Sequence, residues 1–270
     1  MITIVFGKPG VGKTAFLCAM AVLYLNGQEL SKQFYLDCCN ELASLGYDAP
    51  MHAPVYSNFS ISVSTGHKES VGSYYIDGFH LGFENEYVDV MPVLPGSKIF
   101  LSEAQRYYNS RKSKDLPDWV SRYYEEHRHF GLDIMLDVQR PGLIDVNIRD
   151  IAGQFIEVES VQTDVVAGIV RSTTFVYKEF EDWKFVDKYL TSDVECYERK
   201  TLTVPFNVFD CYQSQSYYNS FLPQGDFWQV PHVEYLDVDD AVEFSKFMYK
   251  QTPPEGFYPS TKKSTGVKLQ

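Results

Sequence analysis

The stretch that most restricts what this chain can fold into is Gly7-Lys8-Pro9-Gly10-Val11-Gly12-Lys13-Thr14. Before it runs Ile2-Thr3-Ile4-Val5-Phe6, short and largely β-branched, which reads as a buried parallel strand. After it, residues 15–25 form a long, unbroken apolar run that reads as a buried helix. Strand, glycine loop and helix, in that order, is the context in which G-x-x-x-x-G-K-[ST] becomes a phosphate site. Gly7, Gly10 and Gly12 permit backbone angles closed to other residues, so successive N–H groups can curl around an anion. The positive end of the following helix points at the same place, and Pro9 stiffens the loop. Lys8 and Val11 complete the nucleotide-binding stretch 7–14. Lys13 is expected to bridge the β- and γ-phosphates, and the Thr14 hydroxyl to ligate Mg²⁺. The expected ligand is a purine nucleoside triphosphate bound with Mg²⁺.

A chain of 270 residues accommodates one large α/β domain, or one domain with an appendage. Its formal net charge is −12, so the average surface repels nucleic acid and any DNA contact has to come from a local basic patch or from pore loops of an assembly. Arg106, Arg111, Lys112 and Lys114, interleaved with Tyr107 and Tyr108, are the one dense basic loop; the alternative reading is an ordinary solvated loop. Five cysteines without a C-x-x-C pair point to reduced thiols in a cytosol. No uninterrupted apolar segment reaches about 18 residues, so no membrane span is expected. The first strand starts at once, which leaves no room for a signal peptide.

Further along, residues 28–45 read as a second helix and 55–61 as an alternating strand. Residues 62–95 read as irregular, with a short strand at 74–76. A strand at 98–101 enters Ser102-Glu103, and a polar loop follows over 107–114. A helix is expected from Asp115 and Pro117 to about Phe130, a strand over 132–138, and a short helix carrying Ile144, Ile148 and Ile151. Beyond Gly153 the pattern changes: 155–161, 173–180 and 183–190 read as strands. The fold class is therefore α/β, a P-loop domain with a mostly parallel sheet flanked by helices plus appended C-terminal strands. The expected division is 1–190 for this domain, 191–252 for an extension that includes a helix at 239–250, and 253–270 for a flexible tail.

Hydrolysis asks for a carboxylate at the tip of a neighbouring strand, to hold the metal or polarise the attacking water. Glu103 meets that description, and Asp77 is the competing choice. The residue before Glu103 is Ser102, which offers a neutral ligand where an Asp usually stands.

Ser102-Glu103-Ala104-Gln105-Arg106, then Arg111, Leu116-Pro117, His127-Arg128-His129-Phe130-Gly131-Leu132-Asp133-Ile134 and Gln139, taken with the phosphate loop, resemble the zonular occludens toxin (Zot) family. That family includes the inner-membrane assembly ATPases of filamentous phages and is similar to the FtsK/HerA group of DNA-pumping motors. The resemblance covers residues 1 to about 190. It implies an ATPase driving phage or virus assembly by DNA extrusion or packaging, working as a homo-oligomeric ring on a membrane-bound or capsid partner. It implies Gln139 as sensor of the γ-phosphate, Glu103 as catalytic carboxylate and metal ligand beside Thr14, and Arg128 as an arginine finger to a neighbour's nucleotide. The alternative for Arg128 is a cation at a helix C-terminus. The family pattern has Asp-Glu where this chain has Ser102-Glu103, and the transmembrane helix usual in phage assembly proteins is not seen. The alternative function is accordingly a nucleotide-binding assembly scaffold with little or no hydrolysis. The expected location is the host cytoplasm, held at the inner membrane through a partner. His127 and His129 lie two apart on different helix faces with no cysteine near, which argues against zinc.

Overall fold

The structure, a computed structural model, describes residues 1–27, 55–64, 70–75, 97–116, 118–129, 131–192 and 194–213. The expected helices at 28–45 and 239–250, Asp77 and the tail from 253 lie outside the described residues.

The first strand, β1 (Ile2–Phe6), is buried at every position, and α1 (Lys13–Gly27) follows the glycine loop. Then come β2 (Val55–Ser57), β3 (Ser60–Ser64), β4 (Ser70–Gly72), β5 (Tyr74–Tyr75) and β6 (Lys98–Leu101). Two 3-10 turns lead to α2 (Asp118–Glu126), β7 (Asp133–Val138) and α3 (Val146–Ile151). The chain continues through β8 (Gln154–Val166), β9 (Ile169–Phe180), α4 (Trp183–Ser192), β10 (Glu198–Val204) and β11 (Tyr212–Gln213).

Eight strands make one sheet in the order β10-β9-β8-β1-β7-β6-β2-β5. From β8 to β5 every pairing is parallel, and β9 and β10 are added antiparallel. The central strands are buried on both faces, which is why they read as continuous apolar runs. Their alternating side chains divide the core in two. Ile4, Phe6, Ile99, Leu101, Ile134, Leu136 and Val138 face the layer holding Tyr124 of α2, Ile148 of α3 and Val186 of α4. Val5, Phe100, Ile156, Val158 and Phe175 face α1, whose Ala15, Phe16, Leu17, Cys18 and Ala19 are buried against them. Phe16 meets Phe175 and Tyr177 edge-on, with ring centroids 5.4 Å and 5.3 Å apart. Burying Phe16 and Phe175 contributes about 1.5–3 kcal/mol each by area alone. Lys98, at the start of β6, is buried beside Asp133 and over the Tyr24 ring, and burial lowers its ammonium to about 8.

Several expectations are corrected here. The run 183–190 is a helix, not a strand: Asp182 accepts from the Phe185 N–H at 3.1 Å as a cap, while Trp183, Val186 and Tyr189 recur every third residue on the core side. The strand expected over 55–61 breaks at Asn58-Phe59, so that β2 stays in the main sheet while β3 joins β4 and β11 in a small antiparallel sheet. That small sheet includes residues of the stretch read as irregular. The polar loop after β6 is folded into 3-10 turns at 104–106 and 110–115, and Tyr108 within it belongs to the core. Residues 198–204, placed beyond the expected boundary at 190, form the edge strand of the same sheet. Thr173 of β9 ties the following turn down, its hydroxyl donating to the Phe206 carbonyl at 2.9 Å and accepting the Val208 N–H at 3.2 Å.

Candidate functional site

Because the sheet is parallel around β1, the C-terminal ends of β1, β7 and β6 open on one edge, and the loop 7–14 lies there with the N-terminus of α1. Helix N–H groups of the first turn have no acceptor within the helix, so this edge presents donors to an anion. Gly10 and Gly12 take φ of +76° and +98°, the region that favours glycine. A Cβ on Gly12 would run into Cγ2 of Val161, which comes from β8 and backs the loop. Lys13 is nearly buried, and its ammonium donates to the Lys8 carbonyl at 3.3 Å, inside the loop's own curve. Lys8, Pro9 and Gly10 are exposed at the loop's outer side, while Val11 and Thr14 are half-buried.

Thr14 points toward the strand tips. Its Oγ1 donates to Asp137 Oδ2 at 3.0 Å and lies 3.0 Å from Ser102 Oγ. Ser102 Oγ donates to the same Asp137 oxygen at 2.8 Å, and the Glu103 N–H donates to the other, Oδ1, at 2.9 Å. Asp137 is completely buried. Burial raises its carboxyl, against the Glu103 N–H, the Ser102 hydroxyl and the Lys13 charge, all of which favour the ionised form. Asn58 holds the tip of β6 from its other side: its Oδ1 accepts the Ser102 N–H at 2.8 Å and its Nδ2 donates to the Ser102 carbonyl at 2.9 Å.

Glu103 itself stands in the left-handed region, φ 55° and ψ 42°. For a residue with a Cβ that costs about 1–3 kcal/mol, a cost that persists where the surroundings over-determine it and which clusters at functional sites. Its carboxylate is half-exposed and accepts from Gln105 Nε2. Gln139 follows β7 directly, exposed on the loop edge. Lys13, Thr14, Glu103 and Gln139 are therefore gathered at one edge of the sheet. Arg128 is not among them: it is exposed in the turn between α2 and β7, at the opposite edge from the loop. His127 beside it is buried, with Nδ1 2.5 Å from the Tyr124 carbonyl. Arg106, Arg111, Lys112 and Lys114 are exposed on the turns after β6.

Sequence reasoning passed over Asp137 and Asn58. A signal for Asp137 existed, since a charge inside the otherwise apolar run of β7 is anomalous for a strand buried on both faces. Asn58 gave none.

The oxygens of Thr14, Ser102 and Asp137 are all hard donors, with one carboxylate among them. That suits Mg²⁺, which keeps several waters and is bound through one or two carboxylates together with substrate phosphates. The glycine curve above them fits the phosphates of ATP.

Residues 84–218, 135 of the 270, match the family model described as zonular occludens toxin (Zot). No curated protein matches the chain. Among solved structures, the N-terminal domain of zonular occludens toxin from Neisseria meningitidis is similar at 18% identity and a TM-score of 0.47, covering 78% of this chain and 98% of that one. The genome packaging NTPase B204 from Sulfolobus turreted icosahedral virus 2, in complex with ATP-gammaS, is similar at 8% identity and a TM-score of 0.38, covering 74% and 95%.

Proposed function

The chain belongs to the zonular occludens toxin (Zot) family, and from that membership we propose that it is a P-loop ATPase driving phage or virus assembly, extruding or packaging DNA with the energy of ATP hydrolysis. The observation that carries the proposal is the meeting of Thr14, at the head of α1, with the tips of β6 and β7, where Ser102, Glu103 and Asp137 stand. A loop that bound phosphate for structural reasons alone would have no use for a strained glutamate on the next strand but one.

In this reading the loop N–H groups and Lys13 hold the triphosphate, and the Thr14 hydroxyl meets the metal. Mg²⁺, when bound, neutralises charge developing on the transferred phosphoryl oxygens. Glu103 orients the attacking water from the tip of β6, with Gln105 steadying its carboxylate. Gln139 senses the γ-phosphate from the end of β7. Arg128, remote from its own loop, serves only a neighbour's nucleotide, which makes the active unit a homo-oligomeric ring. The exposed basic turn after β6 is the part offered to phage or viral DNA. No helix among the described residues is long and apolar enough to cross a membrane. The assembly partner, in a membrane or a capsid, holds the ring at its place of work in the host cytoplasm.

The test is ATP turnover with and without DNA. Wild-type turnover that Lys13→Ala abolishes and Glu103→Gln lowers by about 10²–10³-fold supports the motor. Ser102 favours a second reading, a nucleotide-binding scaffold that scarcely hydrolyses; bound ATP with no turnover by the wild type would establish it.

A further inference from the structure

We infer that Asp137, on the strand beside β1, is the carboxylate that holds the nucleotide's magnesium in this chain, in place of the acid that position 102 lacks. The inference rests on the nucleotide-binding reading above and assigns its metal site.

Register makes the substitution intelligible. Leu101 of β6 pairs with Leu136 of β7, so Ser102 and Asp137 are the next residues in step on neighbouring parallel strands. Residues so paired point to the same face of the sheet, with strands about 4.8 Å apart. That face is the α1 side, where Val5 pairs with Asp137 in turn. An acid at 102 and an acid at 137 therefore serve one spot from two adjacent strands. Asp137 serves it from the strand nearer the loop.

Distances agree with this. Thr14 Oγ1, Ser102 Oγ and Asp137 Oδ2 form a triangle with edges of 3.0, 3.0 and 2.8 Å. Octahedral Mg²⁺ with oxygens at about 2.0–2.1 Å sets neighbouring ligand atoms about 2.9 Å apart. The Thr14 and Ser102 hydroxyls are within hydrogen-bond reach of each other as well as of the carboxylate, so all three oxygens converge on one point. A cation seated on the triangle would take one lone pair from each of the three oxygens in place of these hydrogen bonds. Oδ1, meanwhile, is held by the Glu103 N–H at 2.9 Å, so the group that carries the metal also fixes the backbone of Glu103.

The experiment is equilibrium binding of a fluorescent ATP analogue to the full chain, in Mg²⁺, in Mn²⁺ and in EDTA. For the wild type, affinity with metal is expected to exceed affinity in EDTA by about tenfold or more. Asp137→Asn keeps the shape, and the ratio should fall close to one. Ser102→Asp together with Asp137→Asn returns the acid to the neighbouring strand and should restore the ratio. If Asp137→Asn fails to fold, the double variant carries the test alone. A folded Asp137→Asn with an unchanged ratio, or a folded double variant without metal dependence, overturns the assignment. Wild-type protein that binds equally well in Mg²⁺ and EDTA overturns it too while leaving nucleotide binding intact, whereas no binding in either condition removes both.

Discussion

Replacing Gly12 with alanine tests how the phosphate loop is held. Two costs are separable. The first is conformational: φ of +98° in a residue with a Cβ costs about 1–3 kcal/mol. The second is steric, because the new Cβ would overlap Cγ2 of Val161 and lie 3.4 Å from its Cβ; overpacking of this kind costs about 1–3 kcal/mol. Together they come to about 2–6 kcal/mol, a large part of the 5–15 kcal/mol typical of a domain. Gly10→Ala supplies the control: φ is +76°, but nothing lies within 4 Å of the added carbon, so only the first cost applies. Val161→Ala removes Cγ2 and with it the second cost. Urea unfolding of the nucleotide-free chain, followed by tryptophan fluorescence, should therefore rank Gly12→Ala well below Gly10→Ala. In a Val161→Ala background the difference between them should vanish. Equal losses for the two glycines in the wild-type background, or a Gly12→Ala cost untouched by Val161→Ala, would refute the claim that β8 backs the loop.

Two other perturbations bear on stability. His127 is held neutral, its imidazole lowered from 6.5 to about 4 chiefly by burial, with the Tyr124 carbonyl opposing and the charges of Arg128 and His129 adding. Between those pH values the unfolded chain carries a proton that the folded chain does not, so stability is full above about pH 6.5 and falls as pH drops toward 4. At about 1.4 kcal/mol per pH unit the loss approaches 3 kcal/mol, and thermal denaturation at pH 5 and pH 7.5 should show His127→Gln losing less than the wild type. Thr173→Val leaves the Phe206 carbonyl and the Val208 N–H without their partner, at a cost of about 1–3 kcal/mol in chemical denaturation, while Thr173→Ser should be nearly neutral.

What could be read in the sequence follows how local each determinant is. The loop 7–14 and its flanking strand and helix were legible because the phosphate pattern, the glycines and the two apolar runs are contiguous. β6 and β7 were legible as short apolar runs, and so was the parallel half of the sheet, from the alternation of strands and helices. The 183–192 helix was misread because Trp-Lys-Phe-Val supports either period over so few residues, and only packing against Phe155 and Phe180 decides it. Asp137 went unnamed for a related reason. Its place beside Thr14 and Ser102 depends on β7 lying between β1 and β6 in one register, a property of the assembled sheet. Arg128 could be nominated from its motif, but only the topology puts it at the far edge.

The hairpin of β8 and β9 carries one mechanical consequence. Beyond Glu157, where β1 stops pairing, β8 runs on for nine residues, laddered to β9 as far as Val166 and Ile169. It ends in an apolar crown of Val165, Val166 and Ile169 standing in water. From Val161, against the loop, to that crown is about 17 Å at 3.3 Å per residue. The two irregularities in its ladder fall at 158–160 and 164–165, one on either side of Val161. Val161 thus lies on the stretch of β8 between the two irregularities, so one strand carries both the wall behind the glycine loop and the exposed crown.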